Sequence, residues 1–141
     1  MPAVADGAER AGTRGVVTGA RRALVATAWL LAAAILGQVF TAGLAVFADP
    51  GWWARHLAFV HAFEWLSPLA VVLAYVARAP RATKGLAWLT VVLLYVQYAT
   101  AGLRATAGRQ RWAALHAVSA VLLFWTAAEL ARRASRRRDP R

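Results

Sequence analysis

Gln38, His61, Glu64, Gln97 and His116 all lie within long apolar runs. Polar side chains are costly in such surroundings, so each calls for a chemical reason. The glutamines open a repeat: Gln38-Val-Phe-Thr41-Ala-Gly43-Leu44 returns as Gln97-Tyr-Ala-Thr100-Ala-Gly102-Leu103. Each copy is followed, across a short loop, by an apolar segment with a histidine near its start, His61 in the first half and His116 in the second. Neutral imidazole binds metals and is a standard axial ligand of haem iron. Cofactor sites in helical bundles are built from side chains on facing helices. Two imidazoles at matched positions of a repeat therefore point to bis-histidine ligation of one haem b, with His61 and His116 as the expected ligands.

The elements that must position these residues follow from composition. The chain has 141 residues and 60% of them are hydrophobic, more than the roughly half that soluble domains carry. Uncharged runs alternate with short charged ones, the pattern of membrane spans. The expectation is an all-α fold: a four-transmembrane-helix bundle made of two tandem two-helix repeats. The helices are expected at about 22–48, 52–77, 84–104 and 111–132. A disordered tail covers 1–20, a four-helix domain 21–134 and a basic tail 135–141. The first run could also be a signal peptide, but its apolar stretch is too long for one. Asp49-Pro50-Gly51 ends it and can start the next helix. Pro68 removes an N–H and frees the carbonyl of Glu64, which predicts a kink beyond His61.

Charge sets the expected orientation. Most of the 17 Lys and Arg residues lie in the N-terminal stretch, the 78–84 loop and the C-terminal tail. The positive-inside rule then places both termini in the cytoplasm of a plasma-membrane protein. The net charge of +11 is spread over loops and tails rather than a folded basic module, which argues against nucleic acid and for anionic lipid. The absence of cysteine removes disulfides, thiolate metal sites and thiol chemistry.

Depth can be counted. At 1.5 Å per residue, His61 and His116 each lie about 25 Å from the cytoplasmic edge, and Gln38 and Gln97 roughly 20–24 Å. The four form one layer, one residue from each helix. Gln38 and Gln97 are candidate hydrogen-bond partners of a ligand imidazole or of the cofactor. Arg55, Arg104, Arg109 and Arg111 lie at the opposite mouth and suit the two propionates. Gly43 and Gly102 leave room for a helix or a flat cofactor. His56, five residues before His61, points about 140° away from it. Counted from the helix start His56 matches His116 better; counted from the cytoplasmic end His61 does. His61 is the expectation, with His56 as alternative ligand. Glu64 is expected either to serve His61 or proton transfer, or to be a neutral carboxyl bonded to Ser67 or a neighbouring helix. Glu129 should pair with Arg132 and Arg133.

The Gln-x-x-x-Ala-Gly-Leu end of the first helix and Leu115-His116 at the start of the fourth resemble a family of small four-helix actinobacterial membrane proteins of no established activity. The architecture is also similar to one half of haem A synthase, whose halves carry a histidine on their second and fourth helices. That resemblance implies haem binding at His61 and His116 and a role for Gln97. It does not extend to haem hydroxylation. Ala58 stands where the synthase has a glutamate, the cysteine-bearing outer loop is missing, and there is a single half.

The first functional expectation is a b-type haem protein for electron transfer or haem handling, with a redox or membrane-protein partner. A second is a cofactor-free membrane accessory subunit whose polar layer fixes helix packing. A third is a quinone-dependent or proton-relay role around Glu64. No phosphate loop, zinc-protease motif or nucleophile triad is present to make it an enzyme.

Overall fold

The structure is a computed structural model that describes residues 2–103 and 108–136. The described residues are helical: α1 spans Pro2–Phe47, α2 Trp52–Phe63, α3 Leu66–Val76, α4 Arg81–Gly102 and α5 Leu115–Ser135. A 3₁₀ turn, Gln110–Ala114, leads into α5. With α2 and α3 counted as one broken rod, these make four helices long and apolar enough to cross a membrane: Gly12–Phe47, Trp52–Val76, Arg81–Gly102 and Arg111–Ser135.

Two boundaries differ from the sequence expectation. The helix expected from about residue 22 begins at Pro2, through the stretch expected to be a disordered tail. Once a spanning helix is nucleated, each further residue adds a hydrogen bond at little cost, and the alanines and arginines here are good helix formers. The third span starts at Arg81, directly after Pro80, because proline cannot continue a preceding helix but readily precedes a new one.

Pro68 acts as expected. The Glu64 carbonyl, left without the proline's N–H, accepts instead from the Ser67 N–H at 3.3 Å. The tighter turn separates α2 from α3 at Glu64 and Trp65. At the first turn, the Asp49 carboxylate accepts the Gly51 N–H at 2.9 Å, so it braces the loop while Gly51 takes the N-cap position of α2. At the far end of α3, Ala79 N–H bonds the Ala74 carbonyl at 2.9 Å and Arg78 N–H bonds that of Tyr75 at 3.0 Å. That double closure needs a left-handed residue, and Arg78 adopts it at φ 49°.

The four rods close a ring. α1 packs on α5, α3 and α2, while α4 packs on α5 and α3. The α2–α3 rod therefore stands diagonally opposite α5. The core lies toward the end that carries the termini. There Leu24, Ala28, Ala70, Ala74, Ala87, Leu130 and Ala131 are almost fully buried, and a second layer adds Leu31, Ile35, Phe63, Leu94 and Ala127. The alanines let backbones approach closely, which is how helices associate where no hydrophobic force drives them. Arg21 of α1 ties this end shut: its Nε donates to the Ala134 carbonyl at 3.0 Å and its guanidinium to that of Arg136. These carbonyls lie at the C-terminal end of α5, where helix carbonyls lack intrahelical partners and a cation is favourable. The exterior is apolar, with Trp29, Phe40, Trp88 and Trp125 among the large exposed side chains.

The other end is built differently. Beyond Phe63, the buried residues among those described are Ala45, Thr100 and Ser119. Among the described residues, no plug of large apolar side chains closes it.

Candidate functional site

The open end holds one arrangement made twice. In the first copy, the Gln38 carbonyl on α1 lies 3.1 Å from His56 Nδ1 on α2. Thr41 Oγ1 donates to the same carbonyl at 2.9 Å and lies 3.2 Å from the same ring nitrogen. In the second, the Gln97 carbonyl on α4 lies 3.0 Å from His116 Nδ1 on α5. Thr100 Oγ1, whose shorter bond at 2.7 Å goes to the Val96 carbonyl, lies 3.1 Å from that of Gln97 and 3.4 Å from Nδ1. A carbonyl only accepts, so in each ring Nδ1 carries the proton. That assigns the tautomer and leaves the Nε2 lone pair available. Every hydrogen bond these rings make to described residues is through Nδ1.

The histidine equivalent to His116 in this arrangement is thus His56, expected as the alternative ligand, and not His61. His56, Phe59 and Phe63 form one stripe of α2. Phe63 is buried, Phe59 packs on it with ring centroids 5.2 Å apart, and Phe59 also covers Gly37 of α1. This stripe turns α2 so that His56 faces inward, with Trp53 edge-on at 5.5 Å. His61 is off the stripe and 55% exposed. The repeat held the signal: Gln to His is 18 residues for His56 and 19 for His116, a match that His61 lacks. His56 and His116 come from diagonally opposed rods.

The glutamine side chains differ. Gln38 Nε2 donates to the His56 carbonyl at 2.8 Å, while its Oε1 is buried without a partner. Gln97 Nε2 is buried without a partner as well. A buried amide atom left unbonded is costly unless something else meets it. Nothing lies within 4 Å of where a Cβ would stand at Gly43, which is half-buried, or at Gly102, which is exposed on the outer surface. Of the arginines expected at this mouth, Arg55 lies over the Trp52 ring at 4.3 Å and Arg111 over Trp112 at 5.5 Å. Arg109 is exposed in the turn before the 3₁₀ segment, and Arg104 lies outside the described residues.

Glu64 joins neither this layer nor Ser67. The Tyr98 hydroxyl of α4 donates to Glu64 Oε2, and His61 Nδ1 lies 3.5 Å from Oε1. Ser67 Oγ is buried without a partner. Tyr98 was invisible as a site residue in the sequence, where a tyrosine in an apolar run reads as lipid-facing. Glu129 pairs with Arg132 and Arg133 at 2.7 Å each, as its spacing predicts.

Residues 38–106, just under half of the chain, are similar to a family described as "Family of unknown function (DUF6220)". The matched stretch begins at Gln38 and takes in His56, Gln97 and Thr100, but ends before His116. It gives neither a source nor an activity. No curated protein and no solved structure matches the chain, so nothing in the comparisons supports the expected likeness to haem A synthase.

Proposed function

We propose that this chain is an integral protein of the plasma membrane, with both termini cytoplasmic, that binds one haem b between His56 and His116 for electron transfer or haem handling. The observation that carries the reading is the duplicated clamp. Each imidazole is held by its Nδ1–H on a backbone carbonyl, which orients the ring, raises its basicity and keeps Nε2 for a metal. Three further features support it. This end has no fully buried large apolar side chain among the described residues, half-buried Gly43 has nothing within 4 Å of where a Cβ would lie, and the amides of Gln38 and Gln97 each hold a buried atom without a partner. Arg55, Arg109 and Arg111 stand at the mouth where propionates would emerge, with Arg104 nearby in sequence. When bound, haem supplies a one-electron couple, and the protein tunes it through the clamps and the apolar surround.

The alternative is a cofactor-free accessory subunit. It is favoured by the same bonds read as glue, since each clamp joins neighbouring helices without help from a ligand. The absorption spectrum of protein purified from cells supplied with iron and a porphyrin precursor separates the two. The expected result is a low-spin haem spectrum that survives His61→Ala and is lost in His56→Ala and in His116→Ala. A colourless wild-type preparation, or a chromophore retained in both of the latter variants, overturns the haem reading.

A further inference from the structure

Glu64 lies in the middle of the Trp52–Val76 span, where an ionisable side chain is rare and demands a reason. Its partners are Tyr98 and His61. The His61 and Tyr98 rings stack with centroids 6.2 Å apart and planes 21° apart. Tyr98 Oη lies 3.5 Å from His61 Nδ1, at the outer limit of a hydrogen bond. Helix glue would be turned inward and closely bonded, as the His56 and His116 clamps are. This cluster is closely bonded at Glu64, which is 24% exposed, but opens outward through its partners: His61 is 55% exposed, and Tyr98 is exposed as well. Leu57, His61 and Trp65 follow at four-residue intervals on one stripe of the rod, and Leu57, Trp65 and Tyr95 all present exposed apolar surface around the polar centre.

We propose that His61, Glu64 and Tyr98 form a second site, entered sideways from the lipid, for the head group of a membrane quinol. Only a lipid-soluble molecule reaches a polar cluster at that depth from that side. A quinol ring is flat and apolar on its faces, with hydroxyls at opposite edges. Glu64, when ionised, only accepts hydrogen bonds and so receives a ring hydroxyl. Tyr98 and His61 both donate and accept, which lets them follow the ligand between its hydroxyl and carbonyl forms. Trp65 and Tyr95 supply aromatic faces. The site is five residues from His56, about 7.5 Å along the helix, so its occupant would lie beside the proposed haem. Binding itself does not depend on haem.

The test is equilibrium binding of a short-chain quinol analogue to the full chain in lipid nanodiscs, read by quenching of tryptophan fluorescence with Trp65→Phe as the control for the reporter. Saturable binding is expected in the wild type, unchanged in Val121→Ala on the exposed face of the diagonally opposite α5, and weakened about tenfold or more in Glu64→Ala and Tyr98→Phe, since bonds to a charged group are the strong ones. Tyr98→Phe removes a single oxygen and keeps the test valid where Glu64→Ala fails to fold. No saturable binding, or equal affinity in folded Glu64→Ala and Tyr98→Phe, overturns the proposal. A colourless protein that still binds the quinol overturns the haem reading and supports this one; a coloured protein that binds none does the reverse.

Discussion

At the scale of single residues, the two glutamines are the sharpest contrast. They occupy equivalent places in the repeat, yet their side chains do different work. Gln38 ties α1 to the backbone of α2 through Nε2, whereas Gln97 leaves its Nε2 buried and unbonded. In haem-free protein, Gln38→Leu loses that bond, worth about 1 kcal/mol, and also removes the unpaired Oε1, so it should cost at most about 1 kcal/mol. Gln97→Leu should be neutral or stabilising by about 1 kcal/mol, because it removes an unsatisfied group. Thermal unfolding of the two variants in detergent checks this; equal losses would show that Gln97 has a partner in the apoprotein. If haem binds as proposed, both variants should also lower the haem absorbance per protein. The polar layer as such was legible in the sequence, because Gln38, Gln97 and His116 stand out against apolar runs. The choice between His56 and His61 was not settled by counting. It depends on the rotation of α2 about its own axis, and that is fixed by Phe59 settling on Gly37 and by Phe63 entering the core.

At the scale of elements, uncharged length announced the spans, and Pro68 announced the break between α2 and α3. What stayed hidden were ends decided by backbone geometry. The close of α3 is one. Its paired bonds from Arg78 and Ala79 require a left-handed residue, a position that glycine fills without strain and that costs other residues about 1–2 kcal/mol. Arginine there gives no sequence signal of a helix end. Arg78→Gly is expected to stabilise the protein by about 1 kcal/mol, the relief of strain being partly offset by glycine's greater freedom when unfolded. An unchanged or lowered midpoint of thermal unfolding would mean that the arginine head group contributes more than its backbone costs.

At the scale of the whole molecule, the two ends are held by different forces. The end with the termini is closed by small residues in contact and by Arg21 on the last carbonyls of α5. The other end is held by the two histidine clamps, with no large apolar side chain fully buried among the described residues. This asymmetry gives the proposed orientation a physical meaning, since a haem entering at the open end would have its propionates outside the cytoplasm and its iron in the outer half of the bilayer. The same orientation follows from charge alone, through Arg21, Arg22, Arg78, Arg81, Lys84 and the C-terminal arginines, against a smaller group at Arg55, Arg104, Arg109 and Arg111. Those four reduce the charge difference between the two ends unless anionic propionates offset them. Because the chain has no cysteine, single cysteines report sidedness without interference. Asp49 and Ser135 are both exposed, at opposite ends of the bundle. A membrane-impermeant maleimide should label Asp49→Cys in intact cells and Ser135→Cys only once the membrane is opened or inverted. The reverse pattern would put the open end, with both clamps, on the cytoplasmic side, and would show that the arginines at the mouth outweigh those of the tails in setting topology.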